Sequence, residues 1–382
     1  MMVHYDSTSG QIKAYLENLI MKNRFIPNFK LPSENKLAAL FHSSRSPAKR
    51  ALAELKEEGL IHVVHGKGAF VVSGKEPGEA SICMIMPHID TPFSWEIVKG
   101  ARDFCSQKGI QLFVTFSNNN ALTEEKAINN FLNNAFSGLL LYPVIDAVYH
   151  DALLKLALSK ESVTIIAQYL HKMKFGNVYC DSYDQIYQAM EFLIQKGHTR
   201  IGYIAESANY NNLPYQERLI AYQNCMKEKI PGQETFYLGV YIPPENCGTP
   251  GGSIIENDRM IEDFFAKNPG ITAVITASVL AEKVISTLYK QSGMTYSTAV
   301  IIDEPENVNV FAGKDVYVLD QNPYQIGEKA AERLYDQIFN DKSIDDIVLK
   351  ATIVPVADML RKSFLNGRVR PLASDDISVY AK

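Results

Sequence analysis

Short apolar runs alternate with helix-forming segments from residue 82 to residue 303, and this alternation limits the possible fold more than any other feature. The apolar runs are continuously hydrophobic, as strands are when both of their faces are buried in a parallel sheet covered by helices. The sequence therefore predicts an α/β region with parallel sheets. Because about 280 residues are many for one hydrophobic core, we predict two α/β lobes with a ligand cleft at the carboxyl ends of the strands.

The element boundaries follow from these runs and from the spacing of apolar residues in the segments between them. The predicted strands are 82–86, 110–116, 139–142, 163–167, 201–205, 271–276 and 300–303. The predicted helices are 95–108, 123–134, 185–196, 217–228 and 280–290.

The first 72 residues have a different pattern, which predicts three helices followed by a hairpin. Ile12 begins an apolar stripe with helical spacing, and Ser33 is suited to cap a second helix. In the third helix we expect Ser46 as the N-cap and Pro47 as the first helical residue, with Gly59 ending the helix. The β-rich runs 61–64 and 69–72 then flank a glycine turn. This order is typical of a winged helix-turn-helix, so we predict a DNA-binding domain over residues 1–72.

The distribution of charged residues supports this division between residues 1–72 and the rest of the chain. The net charge is −5 overall, whereas residues 1–72 carry +4 and the remainder carries −9. A small basic module on a large acidic one favours a polyanionic partner for the basic part alone. The predicted recognition helix would lead with basic and small polar residues, and the wing tip would bring a cation and bare backbone amides to the duplex. The candidate DNA-binding residues are Asn35, Arg45, Ser46, Pro47, Lys49, Arg50, His65, Gly66 and Lys67.

The segment LPSENKLAALFHSSRSPAKRALAELKEEGLIHVVHGKGAFV resembles the DNA-binding domain of GntR-type bacterial regulators from Leu31 to Val71. The resemblance implies that the recognition helix and the wing contact DNA. Three positions depart from the family pattern: Asn35 and Lys49 replace arginine, and Pro47 replaces threonine, valine or a similar residue. Lysine lacks the planar fork of arginine, so the preferred base sequence is expected to differ.

The larger region also carries a resemblance. The segment FLIQKGHTRIGYIAE, with Cys180-Asp181 before it and Glu217-Arg218 after it, is similar to the ligand-binding core of LacI-type regulators and periplasmic sugar-binding proteins. A GntR-type head on such a core resembles the arabinose-responsive repressors of Gram-positive bacteria, and SNNNALTEEKAINNFL fits that subgroup. We predict a linker over 73–80, an effector-binding and dimerisation domain over 81–363, and a tail over 364–382.

The resemblance implies that residues at the strand ends bind a small polar, sugar-like effector. Carboxylates and guanidinium groups bind hydroxyls, and an aromatic ring covers an apolar sugar face. Asp181 is equally suited to cap a helix, and Phe93 and Trp95 also suit a hydrophobic core. The candidate effector-binding residues are His88, Asp90, Phe93, Trp95, Asp181, Arg218, Ser278, Asp303 and Gln321.

One departure bears on the effector. Ala277-Ser278 stands where the family usually has an Asn-Asp pair, so an aspartate that often binds sugar hydroxyls is missing. We therefore expect arabinose to bind weakly or not at all.

Other functional classes are less well supported. No GxSxG, HExxH or P-loop motif occurs, so we expect no enzyme activity and no cofactor. His62 and His65 lack a neighbouring acid or cysteine in sequence, and no two of the five cysteines have CxxC spacing, so no metal site is expected. No signal peptide or transmembrane segment is predicted, which favours a cytoplasmic protein. Because one winged head has few base-reading side chains, we expect a homodimer with operator DNA as its partner. The alternative is a cytoplasmic carbohydrate-binding or carbohydrate-active protein with no DNA-directed function.

Overall fold

The structure is a computed structural model that describes residues 7–23, 29–64, 68–71, 80–134, 136–144, 150–159, 161–170, 173–206, 213–240, 254–293, 296–340 and 345–359. The chain divides into two compact units. The first contains Met1–Pro87, Lys99–Asn177 and Gly327–Asp346. The second contains His88–Val98, Val178–Ile326 and Ile347–Lys382. The predicted wing tip at 65–67, most of the predicted linker, and the predicted tail lie outside the described residues.

The N-terminal elements have the predicted order. They are α1 (Thr8–Asn23), α2 (Glu34–Leu40), α3 (Arg45–Glu57), β1 (Ile61–Val64) and β2 (Gly68–Val71). Strands β1 and β2 pair antiparallel, with Ile61 opposite Val71 and Val64 opposite Gly68. Apolar residues from all five elements, including Ile12, Leu37 and Leu55, form one buried core. This small core fixes α3 against α1 and α2.

The start of α3 differs from the prediction. Ser44, with extended backbone angles, is the N-cap, and Arg45 is the first helical residue. Pro47 therefore lies in the third helical position rather than the first. The first turn has no intrahelical acceptors for its N–H groups, so the missing N–H of proline costs no hydrogen bond there either. The end agrees with the prediction, because Gly59 follows the helix with a φ of +73°.

The remaining elements alternate between strand and helix. In chain order they are β3 (Ser81–Met86), α4 (Pro92–Gln107), β4 (Gln111–Phe116), α5 (Ala121–Asn133), β5 (Gly138–Leu141), α6 (Asp151–Leu158), β6 (Val163–Ile166), β7 (Gly176–Cys180), α7 (Ser182–Gln195), β8 (Ile201–Glu206), α8 (Leu213–Lys229), β9 (Phe236–Val240), α9 (Ile254–Lys267), β10 (Ala273–Ala277), α10 (Ala281–Ser292), β11 (Thr298–Ile302), β12 (Val316–Asp320), α11 (Pro323–Phe339), β13 (Ile347–Leu349) and β14 (Thr352–Pro355). Each predicted element is present with boundaries shifted by a few residues. The elements α6, β7, β9, α9, β12, α11, β13 and β14 had not been predicted.

These strands form two six-stranded sheets, which confirms the α/β fold with parallel sheets. Their orders are β13-β7-β6-β5-β3-β4 and β14-β12-β11-β10-β8-β9. In the second sheet β8, β9, β10, β11 and β12 run parallel, and only the edge strand β14 is antiparallel to its neighbour. Since parallel strands end at the same edge of a sheet, the carboxyl ends of β8, β10, β11 and β12 lie together.

Four cysteines, Cys83, Cys105, Cys180 and Cys225, are buried free thiols. Burial raises the pKa of the Cys225 thiol to about 11, which makes the thiolate scarce near neutral pH. Cys247 lies outside the described residues. The described thiols therefore behave as packed core residues.

Candidate functional site

The exposed face of α3 is the first candidate site. Its buried stripe consists of Ala48, Ala51, Leu52 and Leu55, which turn into the N-terminal core. Arg45, Ser46, Lys49 and Arg50 are exposed. The apolar stripe thus directs a basic, polar set of side chains outward from the first turns of the helix.

Arg45 is held at the start of that face by an acid from the preceding helix. Its Nη2 donates to Glu34 Oε2 at 3.1 Å, and its side chain is 68% exposed. Ser33 caps α2 and accepts from the Lys36 N–H, which fixes the helix that carries Glu34. A surface ion pair of this kind contributes little to stability. It orients the guanidinium, which remains accessible to a phosphate or a guanine edge.

The other predicted DNA-binding residues are partly described. Asn35 is exposed on α2, and Pro47 is half-buried with its carbonyl accepting from the Ser9 hydroxyl at 3.2 Å. His65, Gly66 and Lys67 lie outside the described residues. The hairpin below them gains a third segment, because the Leu31 N–H donates to the Ala69 carbonyl at 2.9 Å and the Val71 N–H to the Phe29 carbonyl at 2.9 Å. This pairing anchors the base of the predicted wing.

The second candidate site lies at the carboxyl edge of the second sheet, where polar side chains form a continuous hydrogen-bond chain. Arg218 Nη2 donates to Gln185 Oε1 at 3.2 Å. Gln185 Nε2 donates to Gln321 Oε1 at 2.8 Å, and Gln321 Nε2 donates to Asp303 Oδ1 at 2.8 Å. The structure thus brings three of the predicted effector residues into one cluster, which we call the polar edge cluster.

Asp303 has the most unusual environment in this cluster. Its φ is +65°, a left-handed conformation that is uncommon for a residue other than glycine and often marks functional sites. Burial raises the pKa of its carboxyl group to about 6, although Arg218 and the bond from Gln321 oppose the shift. The turn after β11 therefore places a poorly solvated carboxyl group at the sheet edge.

Glu206 and Gln185 belong to the same cluster, and sequence reasoning missed both. Burial raises the pKa of the Glu206 carboxyl group to about 7, while Arg218 lowers it and Asp303 raises it further. The Tyr215 hydroxyl donates to Glu206 Oε2, and the Arg218 guanidinium lies 5.8 Å from the centre of the Tyr215 ring. Glu206 directly follows the predicted strand 201–205, and this position was the available signal. Gln185 had no comparable signal, because a neutral side chain within a helix carries no pattern.

Two predicted residues at this edge make other contacts. Asp181 is the N-cap of α7, and its Oδ1 accepts from the Asp184 N–H at 2.8 Å, so the capping alternative describes its geometry. Ser278 opens a short 3-10 helix directly after β10 and is half-buried. Its side chain can still offer a hydroxyl at the edge, but it cannot supply a charge.

The segment from His88 to Trp95 surrounds the start of α4. Burial lowers the pKa of the His88 imidazole, against a smaller opposing effect of the exposed Asp90. The N–H of the buried Ser94 donates to Thr91 Oγ1 at 3.2 Å, which fixes the first turn. Phe93 is half-buried and Trp95 is 44% exposed. Trp95 is thus not a core residue.

Two further observations apply to the described residues only. No group of three or more His, Cys, Asp or Glu side chains is arranged to hold a metal ion there. No helix in the same part of the chain has the length and apolarity needed to cross a membrane.

Comparison with known families and proteins gives consistent matches. Residues 8–71 match the gntR family of bacterial regulatory proteins, and residues 82–342 match the periplasmic binding protein domain. The "Arabinose metabolism transcriptional repressor" of Geobacillus stearothermophilus is 28% identical over 249 residues, covering 63% of this chain and 67% of the relative. A repressor of the same name from Halalkalibacterium halodurans is 28% identical over 144 residues, covering 36% of this chain and 38% of the relative.

Solved structures show the same fold at low identity. The transcription regulator CcpA of Lactococcus lactis superposes with a TM-score of 0.57 at 18% identity, covering 72% of this chain and 97% of CcpA. GanP, a glucose-galactose binding protein from Geobacillus stearothermophilus, gives a TM-score of 0.61 at 13% identity, covering 73% and 98% of the two chains. At such identities the likeness establishes the fold alone.

Proposed function

This chain belongs to the periplasmic-binding-protein domain family and carries a gntR-family head, and from that premise we propose that it is a ligand-responsive transcription repressor of carbohydrate-utilisation genes. The observation that carries the proposal is the coexistence of two sites in one chain. An outward-facing basic helix start lies around Arg45, and a polar edge cluster lies around Arg218 and Asp303. A protein that only binds or converts carbohydrate has no use for the first site.

The DNA-binding mode follows from the head. One winged module offers few base-reading side chains, so two copies are needed to specify an operator, and the operator is then a palindrome. We propose a cytoplasmic homodimer in which the large acidic domain forms the two-fold contact. Arg45 reads a base edge or a phosphate, whereas Ser46 and Lys49 contact phosphates.

The effector acts by favouring the form of the protein that does not bind the operator. Lifting repression a hundredfold requires a difference of about 2.7 kcal/mol in effector binding between the two forms. We propose Arg218, Asp303, Gln321 and Gln185 as effector contacts, because their hydrogen-bond chain can exchange partners with ligand hydroxyls. The relatives are named for arabinose metabolism. With Ser278 in place of an acid, we expect L-arabinose itself to be a weak effector here.

A mobility shift with the DNA upstream of the protein's own gene tests the proposal. The wild type is expected to shift this fragment specifically, and Arg45→Ala is expected to weaken the shift. Lys56→Ala is the matched control, because Lys56 is exposed in the last turn of the same helix, away from the predicted contact. Equal binding by all three proteins, or equal binding of unrelated DNA, would contradict the assignment of α3.

A further inference from the structure

The carboxyl edge of the second sheet is rich in acids and poor in bases. Glu206 ends β8, Asp303 follows β11, and Asp320 ends β12. The sequence segments that follow these and the neighbouring strands contain neither lysine nor arginine. In the described part of the chain these are residues 277–281, 303–307 and 320–322. The exposed Lys350 precedes the antiparallel β14 at the same edge, where its carbonyl accepts from the Asn322 side-chain amide. Arg218, on α8, is a base that interacts electrostatically with two of these carboxyl groups, Glu206 and Asp303.

Arg218 does not neutralise these acids by direct contact. Its Nη2 donates to the neutral Gln185, and its Nε is buried without a hydrogen-bond partner among the described residues. Its effect on Glu206 and Asp303 is electrostatic and lowers the pKa of both carboxyl groups, against the larger effect of burial. The partners that the two acids do have are neutral, namely Tyr215 for Glu206 and Gln321 for Asp303.

An excess of poorly solvated negative charge has a physical consequence. A buried carboxylate without a cationic partner is costly, and here the cost raises the pKa of both Glu206 and Asp303. The neighbouring Asp320 adds to the repulsion at Asp303. A bound anion would increase the repulsion, whereas a bound cation would offset it.

We propose that the effector is a polyhydroxy compound carrying a protonated amine, which pairs with Glu206 and Asp303. This inference rests on the proposed function. Its hydroxyls take hydrogen bonds from Arg218 and exchange them with Gln185 and Gln321. Sugar phosphates and sugar acids are excluded, because their charge has the same sign as the cluster. Glu206 is then a specificity-determining residue.

Calorimetric titration of matched pairs of compounds tests this proposal. The pairs are D-galactosamine with D-galactose, D-glucosamine with D-glucose, and N-methyl-D-glucamine with D-glucitol, with D-gluconate and glucose 6-phosphate as anions. We expect the amine of at least one pair to bind about tenfold more tightly than its neutral partner, and the anions to bind more weakly than either. Glu206→Gln keeps the shape of the side chain and is expected to remove the preference for the amine.

The control variant is Glu234→Gln, because Glu234 is exposed just before β9, at the opposite end of the same sheet. It is expected to keep the preference for the amine. The proposal is overturned if no amine binds more tightly than its neutral partner, if an anion binds best, or if Glu206→Gln retains the preference.

A mobility shift run in parallel separates this proposal from the proposed function. Operator binding that responds to a neutral sugar, without any preference for amines, would defeat the amine proposal and leave the repressor function intact. Failure of the wild type to bind any upstream DNA would defeat the repressor function, and calorimetry would still report whether the site prefers amines.

Discussion

Replacing Gly176 by alanine is expected to destabilise the protein strongly, because the space beside this glycine is filled by a buried guanidinium. A Cβ atom at Gly176 would lie 1.4 Å from Nη2 and 1.7 Å from Cζ of Arg333. Arg333 is only 6% exposed. Its Nε donates to the Asp345 carbonyl at 3.0 Å, and its Nη1 donates to Thr164 Oγ1 at 2.9 Å. The side chain can escape the clash only by giving up these bonds.

The magnitude follows from those two bonds. A hydrogen bond to a charged group contributes about 1.5–3 kcal/mol, so losing both costs about 3–6 kcal/mol. That is a large part of the roughly 5–15 kcal/mol that stabilises a typical folded protein. Gly202→Ala is the matched control, because Gly202 also lies in a buried strand and its added Cβ would meet Val274 at an ordinary 3.4 Å.

Urea-induced unfolding followed by circular dichroism measures both variants. We expect the free energy of unfolding of Gly202→Ala to stay within about 1 kcal/mol of the wild type, since alanine loses less backbone entropy on folding than glycine. Combining Gly176→Ala with Arg333→Ala is expected to cost less than the sum of the two single changes, because the second change removes the clash. The predicted clash is refuted if Gly176→Ala and Gly202→Ala have the same free energy of unfolding. It is also refuted if the costs of Gly176→Ala and Arg333→Ala add in the double variant.

Four further outcomes can be measured. Arg45→Ala is expected to weaken operator binding by about 1–3 kcal/mol and to relax sequence preference, as read from binding to operator and random DNA. Lys67→Ala is expected to weaken binding evenly across sequences and to reduce the slope of log affinity against log salt by about one. Arg218→Ala is expected to abolish the effector-dependent change in a mobility shift; a retained response would remove Arg218 from the site. The pKa of Asp303 is raised to about 6 in the folded state, so the folded protein binds this proton before the unfolded chain does. The free energy of unfolding is therefore expected to increase as pH falls from about 6 toward 4, and the increase in the urea midpoint is expected to be smaller for Asp303→Asn than for the wild type.

The sequence predicted best those features that repeat along the chain. The apolar stripe of α3, including Ala48 and Leu55, was visible because it follows the helical period, and the buried strands because they are continuously hydrophobic. The start of α3 was predicted wrongly, because the preference of proline for the first helical position was given more weight than the tolerance of the whole first turn. The first residue of a helix is hard to predict because neighbouring residues are capping positions of similar free energy.

The polar edge cluster shows what a single sequence lacks. Asp303 and Gln321 were found through the family resemblance, whereas the contact of Gln185 with Gln321 joins residues 136 positions apart. Nothing local in either segment indicates that they meet. Glu206 was overlooked for a different reason: the predicted strand stopped at residue 205, and the charge that follows it at the sheet edge was not considered. The contacts within the polar edge cluster depend on which strands become neighbours in the sheet.

The position of Trp95 makes the protein its own optical reporter. It is the single tryptophan of the chain, and it is partly open to solvent in the first turn of α4, in the unit that also contains the polar edge cluster. Its indole emission therefore arises from one place and needs no deconvolution from other fluorophores of the same type. A compound that covers the ring is expected to shift this emission to shorter wavelength, so candidate effectors can be screened by fluorescence on unlabelled protein.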